Sequence, residues 1–258
     1  MLGAAIGDIA GSRFENAPCK RTDFTFFTPE SGFTDDTVCT AAVADWVLGG
    51  CGTDLAALMQ AWCRRYPEPR GAYGASFQRW IMQPDPQPYR SWGNGSAMRV
   101  SAAGWAFGTL AETLACARAS AAITHNHPEG IKGAEAVAAA VYWARTGRSK
   151  AFIKRQTEKM FGYDLGKSCD EIRPGYTFDA SCAGSVPQAL TAFLESSSFE
   201  HAVRLAVSLG GDSDTLAAIA GSIAEAFYRE IPDEIVKQAL AILPADISSV
   251  LLAVSANR

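Results

Sequence analysis

Charge is scarce in this chain: Asp, Glu, Lys and Arg make up 19% of 258 residues, and the formal net charge is −4. Without a basic excess there is no footprint for a nucleic-acid backbone or an anionic membrane. A phosphate-bearing ligand stays possible, provided that backbone N–H groups or a metal receive it rather than a basic patch. Long apolar runs are also missing, and none approaches the roughly 20 residues of a membrane span. The first eight residues carry no basic group, and Asp8 interrupts their short apolar run, which is not the pattern of a signal peptide. The seven cysteines are an odd number and include no Cys-x-x-Cys, which speaks against a disulfide framework and a zinc knuckle. We therefore expect a reducing, cytoplasmic setting. Only three histidines occur (His125, His127, His201), and no Gly-x-Ser-x-Gly elbow accompanies them. That leaves little for Ser/His or Cys/His catalysis.

Alternating strand patterns are nearly absent. Residues 23–27 (DFTFF) are the best strand candidate, and one short strand makes no sheet. Apolar residues at helical spacing are abundant instead, over 37–48, 54–62, 102–122, 129–145 and 202–207. Segment 129–145 opens on an acid and ends Arg-Thr-Gly, a helix stop with the expected charge polarity. Segment 212–228 is apolar nearly all round and should form a central, buried helix that Ile231-Pro232 terminates. The loops 16–32, 67–74, 84–95 and 168–184 are long and rich in Gly and Pro, as functional loops are. With no linker and no repeat, the expectation is a single domain over 1–258 and an all-α fold, a compact orthogonal multi-helix bundle.

Two acidic clusters stand at expected helix starts, Thr34-Asp35-Asp36-Thr37 and Gly210-Gly211-Asp212-Ser213-Asp214-Thr215. Helix capping explains one such residue per helix. Two acids in each cluster exceed what capping needs. Four carboxylates gathered in a dry interior would repel one another and stay protonated unless a cation compensates them. Oxygen donors of this kind suit Mg²⁺ or Mn²⁺. Neither cluster has the spacing of an EF-hand loop. Capping and metal binding both remain open from the local pattern. Gly93 and Gly95 would let backbone N–H groups approach phosphate oxygens, although Gly-Asn-Gly is also ordinary turn chemistry. His127 reads as a structural histidine.

The segment from Gly3 to Glu15 (GAAIGDIAGSRFE) resembles the opening motif of the ADP-ribosylglycohydrolases. Phe33 to Thr37 (FTDDT) resembles that family's first metal motif. Ser91 to Val100 (SWGNGSAMRV) resembles its glycine-rich ligand loop. Thr124-His125 and the Asn-His-Pro-Glu-Gly that follows resemble its middle segment. Ser181 to Gln188 and Ser208 to Thr215 resemble its later motifs. Six matches in one order form a specific signal where any single glycine motif would be weak. The resemblance implies an all-α fold with a two-metal cleft holding two Mg²⁺, with Mn²⁺ possible. It implies Thr34, Asp35 and Asp36 as ligands from the first cluster and Asp212, Asp214 and Thr215 from the second. It also implies Ser91, Trp92, Gly93, Asn94 and Gly95 along the diphosphate and ribose, His125 near the adenosine, and Glu15 near the scissile ribose.

The expected activity is metal-dependent hydrolysis of the N- or O-glycosidic bond between ADP-ribose and a modified target, arginine by default. Cations would grip the ribose hydroxyls and orient the sugar, and a carboxylate, Asp36 or Glu15, would take the proton of the attacking water. The expected partner is an ADP-ribosylated protein or a small ADP-ribose derivative, with an ADP-ribosylated base still open and no membrane involved. Two rivals remain: another two-metal phosphoesterase or nucleotide hydrolase, and a non-catalytic ADP-ribose-binding protein.

Overall fold

The computed structural model describes residues 1–256, and every regular element in that range is a helix. In chain order these are α1 (Gly3–Gly11), α2 (Asp35–Leu48), α3 (Leu55–Arg65), α4 (Ala75–Ile81) and α5 (Gly95–Met98). Next come α6 (Ser101–Ala106), α7 (Leu110–Ala122), α8 (Pro128–Arg145), α9 (Lys150–Phe161) and α10 (Cys169–Ile172). The chain then runs through α11 (Cys182–Glu195), α12 (Phe199–Leu209), α13 (Ser213–Tyr228), α14 (Asp233–Ile242) and α15 (Ala245–Ala256). Among the described residues only two isolated bridges, Thr34 with Arg70 and Gly93 with Ser181, pair extended backbone. The all-α expectation is met.

α13 is the central element. It packs against α1, α12, α11 and α8, and its residues are buried almost from end to end. The contact with α1 is unusually close, and glycine makes it so. A Cβ at Gly7 would stand 2.0 Å from the Ala217 carbonyl oxygen, and one at Gly11 would stand 2.4 Å from that of Ser213. Gly3 and Gly221 approach each other in the same way. A glycine on every fourth residue of α1 thus forms one bare stripe, because residues four apart share a helix face. The two backbones meet along it.

The structure departs from expectation in four places. Residues 23–27 form no strand, because among the described residues no neighbouring strand accepts their backbone groups. Their alternation is nonetheless used: Phe24 and Phe26 are buried in the core. The expected helix over 102–122 is broken into α6 and α7 at Phe107-Gly108-Thr109. Thr109 starts α7 with a capping box, its hydroxyl accepting from the Glu112 N–H while the Glu112 carboxylate accepts from the Thr109 N–H. Arg145 seals the break by donating to the carbonyls of Gly104 and Phe107. α13 ends at Tyr228, the expected bound, but Arg229 in the left-handed conformation (φ 58°) terminates it rather than Ile231-Pro232. Finally, the segment 168–184 is partly helical, since it contains α10 and the start of α11.

Candidate active site

The first acidic cluster is held by Asp8, an acid that interrupts an apolar run within the Gly3–Glu15 motif. Asp8 lies in the middle of α1 and is fully buried. Its Oδ2 accepts from the Thr34 N–H at 2.9 Å, the Thr37 N–H at 3.1 Å and the Thr37 hydroxyl at 2.5 Å. A carboxylate against the free N–H groups of a helix start satisfies donors that have no partner within the helix and complements the helix dipole. Asp8 therefore fixes the first turn of α2 against α1. Thr34 is the N-cap of that turn, its hydroxyl accepting from the Asp36 N–H. Asp35 and Asp36 follow and face the cleft.

The second cluster begins with Gly210 and Gly211, both at φ 76°, a conformation that L side chains rarely adopt. A Cβ on Gly211 would also meet the Thr177 carbonyl oxygen at 2.8 Å. This turn delivers Asp212 to the N-cap position of α13, but the Asp212 side chain caps nothing there. Its Oδ2 accepts from Asn94 Nδ2 at 2.7 Å instead. Asp214 and Thr215 occupy the first turn of α13.

The two clusters meet, although the residues that touch, Asp36 and Thr215, are 179 positions apart in the chain. The Thr215 hydroxyl donates to Asp36, 3.2 Å from Oδ1 and 3.0 Å from Oδ2. Among the described residues, Glu15, Asp212 and Asp214 each offer a carboxylate oxygen within 4.8 Å of the others, an acidic cluster that could hold a metal ion. Glu15 stands on the loop that follows α1. Its burial and the nearby Asp212 and Asp8 push its carboxyl up, while Arg70 pulls it down.

Burial raises the other carboxyls as well, and repulsion from neighbouring acids adds to it at Asp35, Asp36 and Asp214. Asp8 is pushed up to about 6 and Asp35 to about 8, Asp212 is raised, and Asp36 and Asp214 lie well above the ordinary carboxylate range. Without added positive charge these groups hold protons that a surface acid would lose. Asp8 Oδ1 also has no hydrogen-bond partner among the described residues. An all-oxygen donor set, repelled into protonation, with an orphaned buried carboxylate oxygen beneath it, fits a hard divalent cation.

The acids line one part of a cleft of about 750 Å³. The glycine-rich loop lines another. Ser91 accepts from the Gly93 N–H at 3.1 Å, and the Asn94 N–H donates to the Ala180 carbonyl at 2.8 Å. These bonds fold the loop against the segment before α11. The Asn94 side chain also donates to Ser185 at 3.0 Å, so both of its recorded bonds hold protein groups. Trp92 is 61% exposed at the rim, with its ring edge-on to His127 at 5.9 Å. His127 itself accepts from the Glu129 N–H as the N-cap of α8, the structural role expected of it. His125 is buried beside Gly93 and Gly95.

Every expected site residue except Thr34 lines the cleft, and Thr34 is buried as the cap just described. The sequence motifs contain Asp8 and Arg99 without marking a role for either, and Arg70, Tyr89, Arg90 and Asp179 fall outside them. Asp8 carried a signal, an acid within a glycine–alanine–isoleucine run. Arg70, Arg90 and Asp179 sit in irregular loops, where no spacing marks a side chain as facing a cleft.

An all-helical fold with this acid-floored cleft is that of a class of hydrolases that cut glycosidic bonds. The family model for ADP-ribosylglycohydrolase matches residues 1–254, and the chain belongs to that family. The human ADP-ribosylhydrolase ARH3 is 26% identical over 304 residues, covering 88% of this chain and 84% of the human protein. The ADP-ribosylarginine hydrolase Tri1 of Pseudomonas putida (strain GB-1) is 27% identical, covering 88% of this chain and 69% of that protein. A solved structure described as an ADP-ribosylglycohydrolase-related protein complex superposes with a TM-score of 0.72 at 27% identity, covering 98% of this chain and 94% of the other. No helix among the described residues is long and apolar enough to cross a membrane.

Proposed function

We propose that this chain hydrolyses the glycosidic bond between ADP-ribose and a modified target, with divalent cations bound between the two acidic clusters. The observation that carries the reading is the meeting of Glu15, Asp36, Asp212, Asp214 and Thr215 in one cleft. Asp35, Asp36, Asp212, Asp214 and Thr215 would hold two Mg²⁺ or Mn²⁺, with Thr34 supporting the turn that carries the first pair. Bound there, the cations would supply Lewis acidity and a fixed grip on sugar hydroxyls.

The remaining work falls to this chain's own groups. The loop from Ser91 to Gly95 would receive the diphosphate and ribose through the backbone N–H groups of Trp92 and Gly95, since those of Ser91, Gly93 and Asn94 donate within the protein and the Asn94 side chain holds Ser185 and Asp212. Trp92 would cover the ligand at the rim. Glu15 is the better proton acceptor for the attacking water. Both Asp36 oxygens lie within reach of Thr215, whereas Glu15 accepts no hydrogen bond among the described residues and stands partly exposed in the cleft. Arginine is the default linkage, supported by the likeness to an ADP-ribosylarginine hydrolase. The substrate would be an ADP-ribosylated protein or a small ADP-ribose derivative.

The test is a panel of ADP-ribosyl substrates joined through arginine, serine and a nucleobase, each assayed with Mg²⁺, Mn²⁺ and a chelator. Free ADP-ribose released with metal and not with chelator supports the reading. Release of phosphate or AMP instead favours a phosphoesterase, and tight ADP-ribose binding without turnover on any linkage favours a binding protein.

A further inference from the structure

Arg99 is the largest charged side chain buried in the protein, at 1% exposure, and it forms no ion pair among the described residues. A buried guanidinium without a counter-charge is costly, so its position calls for a use. Its Nη2 donates to the Ser120 carbonyl at 2.8 Å and to the Thr124 hydroxyl oxygen at 2.9 Å. The same hydroxyl lies 2.7 Å from His125 Nδ1. His125 is 6% exposed, and its Nε2 stands 3.1 Å from where a Cβ of Gly95 would be and 3.6 Å from where one of Gly93 would be.

We propose that Arg99 and Thr124 lock His125 in a single tautomer, so that its Nε2–H points into the cleft as a hydrogen-bond donor for an acceptor atom of the ligand. The argument is one of donor accounting. Arginine only donates. The Thr124 oxygen accepts from Arg99, which leaves its own hydrogen free to donate, and the nearest acceptor is Nδ1. A ring nitrogen that accepts carries no proton, so the single proton of the neutral imidazole is on Nε2. Burial and the adjacent guanidinium also disfavour the imidazolium form, in which Nδ1 would have to donate toward an oxygen already turned toward it. The glycines at 93 and 95 leave Nε2 uncovered. A side chain at either would stand over the donor, which is a reason for two glycines in this loop beyond turn geometry.

The site therefore selects an acceptor, such as a ring nitrogen, a hydroxyl oxygen or a phosphate oxygen. It rejects a ligand group that can only donate. Arg99 and Thr124 are positioning residues acting through His125. The identity of the ligand as ADP-ribose rests on the function proposed above, whereas the tautomer does not.

Long-range ¹H–¹⁵N spectra of histidine-labelled protein test the two parts separately. The free protein should show His125 as the Nε2–H tautomer across the neutral range, and Thr124→Val should remove that preference while Thr124→Ser keeps it. Calorimetry with ADP-ribose should show binding weakened roughly tenfold in Thr124→Val, the scale of one lost hydrogen bond, and largely recovered in Thr124→Ser. A protonated Nδ1 in the free protein, or a Thr124→Val variant with unchanged tautomer and affinity, overturns the proposal. If ADP-ribose fails to bind while the Nε2–H tautomer is seen, the lock stands and the proposed ligand is wrong.

Discussion

Replacing Asp214 by Ala removes one of three carboxylates whose oxygens lie within 4.8 Å of one another. The expected result is a loss of divalent-cation affinity and at least about a hundredfold fall in ADP-ribose release, with helical circular dichroism retained. Glu15→Gln separates two roles that the geometry leaves adjacent. If Glu15 takes the proton, turnover should fall by about a hundredfold to ten-thousandfold while metal affinity measured by titration changes far less. A variant that loses metal and activity together would make Glu15 a ligand rather than a base. The raised carboxyls also predict how the metal-free protein responds to pH. Asp8 and Asp35 hold protons in the folded chain at pH values where the unfolded chain has released them. Their contribution is complete below the ordinary carboxylate range and is lost as pH rises through about 6 and about 8 respectively. Thermal melts in chelator should therefore show Tm falling from pH 5 to pH 8.5. Added Mg²⁺ or Mn²⁺ should restore most of the loss at the upper end, because the cation substitutes for the departing protons.

At the scale of elements, the site depends on how closely α1 approaches α13. Asp8 reaches the first turn of α2 from a helix whose glycine stripe lies on the α13 backbone. Gly7→Val would push a side chain into a main-chain carbonyl that has nowhere to move, since its Cβ position is 2.0 Å from the Ala217 oxygen. The cost should reach about 3 kcal/mol, the upper part of the usual overpacking range. Metal binding should weaken with it, because both acidic clusters are anchored on these helices. Thr109→Ala is the contrasting change. It removes the α7 cap at the break between α6 and α7, and Thr109 itself does not line the cleft. Chemical denaturation should show about 1 kcal/mol of lost stability with substrate turnover preserved.

For the whole molecule, the information that reached the sequence level was local. The acids at 35, 36, 212 and 214 stood out because two carboxylates per helix start exceed what a cap requires. The central helix after Asp212 was legible because it is apolar on every side. Those features belong to neighbouring residues, and nearest-neighbour patterns survive in one dimension. The break inside 102–122 was not legible, because Phe-Gly-Thr interrupts a run of strong helix formers with a weak local preference, and Arg145 from another helix completes it. Nor was the role of Asp8, an acid conspicuous in its apolar run, because its partners Thr34 and Thr37 lie 26 and 29 positions away. The chain alone determined the helical class and the residue types available for a metal. Only the tertiary structure decided that Thr215 would touch Asp36 across 179 positions and that Arg99 would stand behind His125. Such contacts follow from the packing of entire helices, and no short stretch of sequence contains that packing.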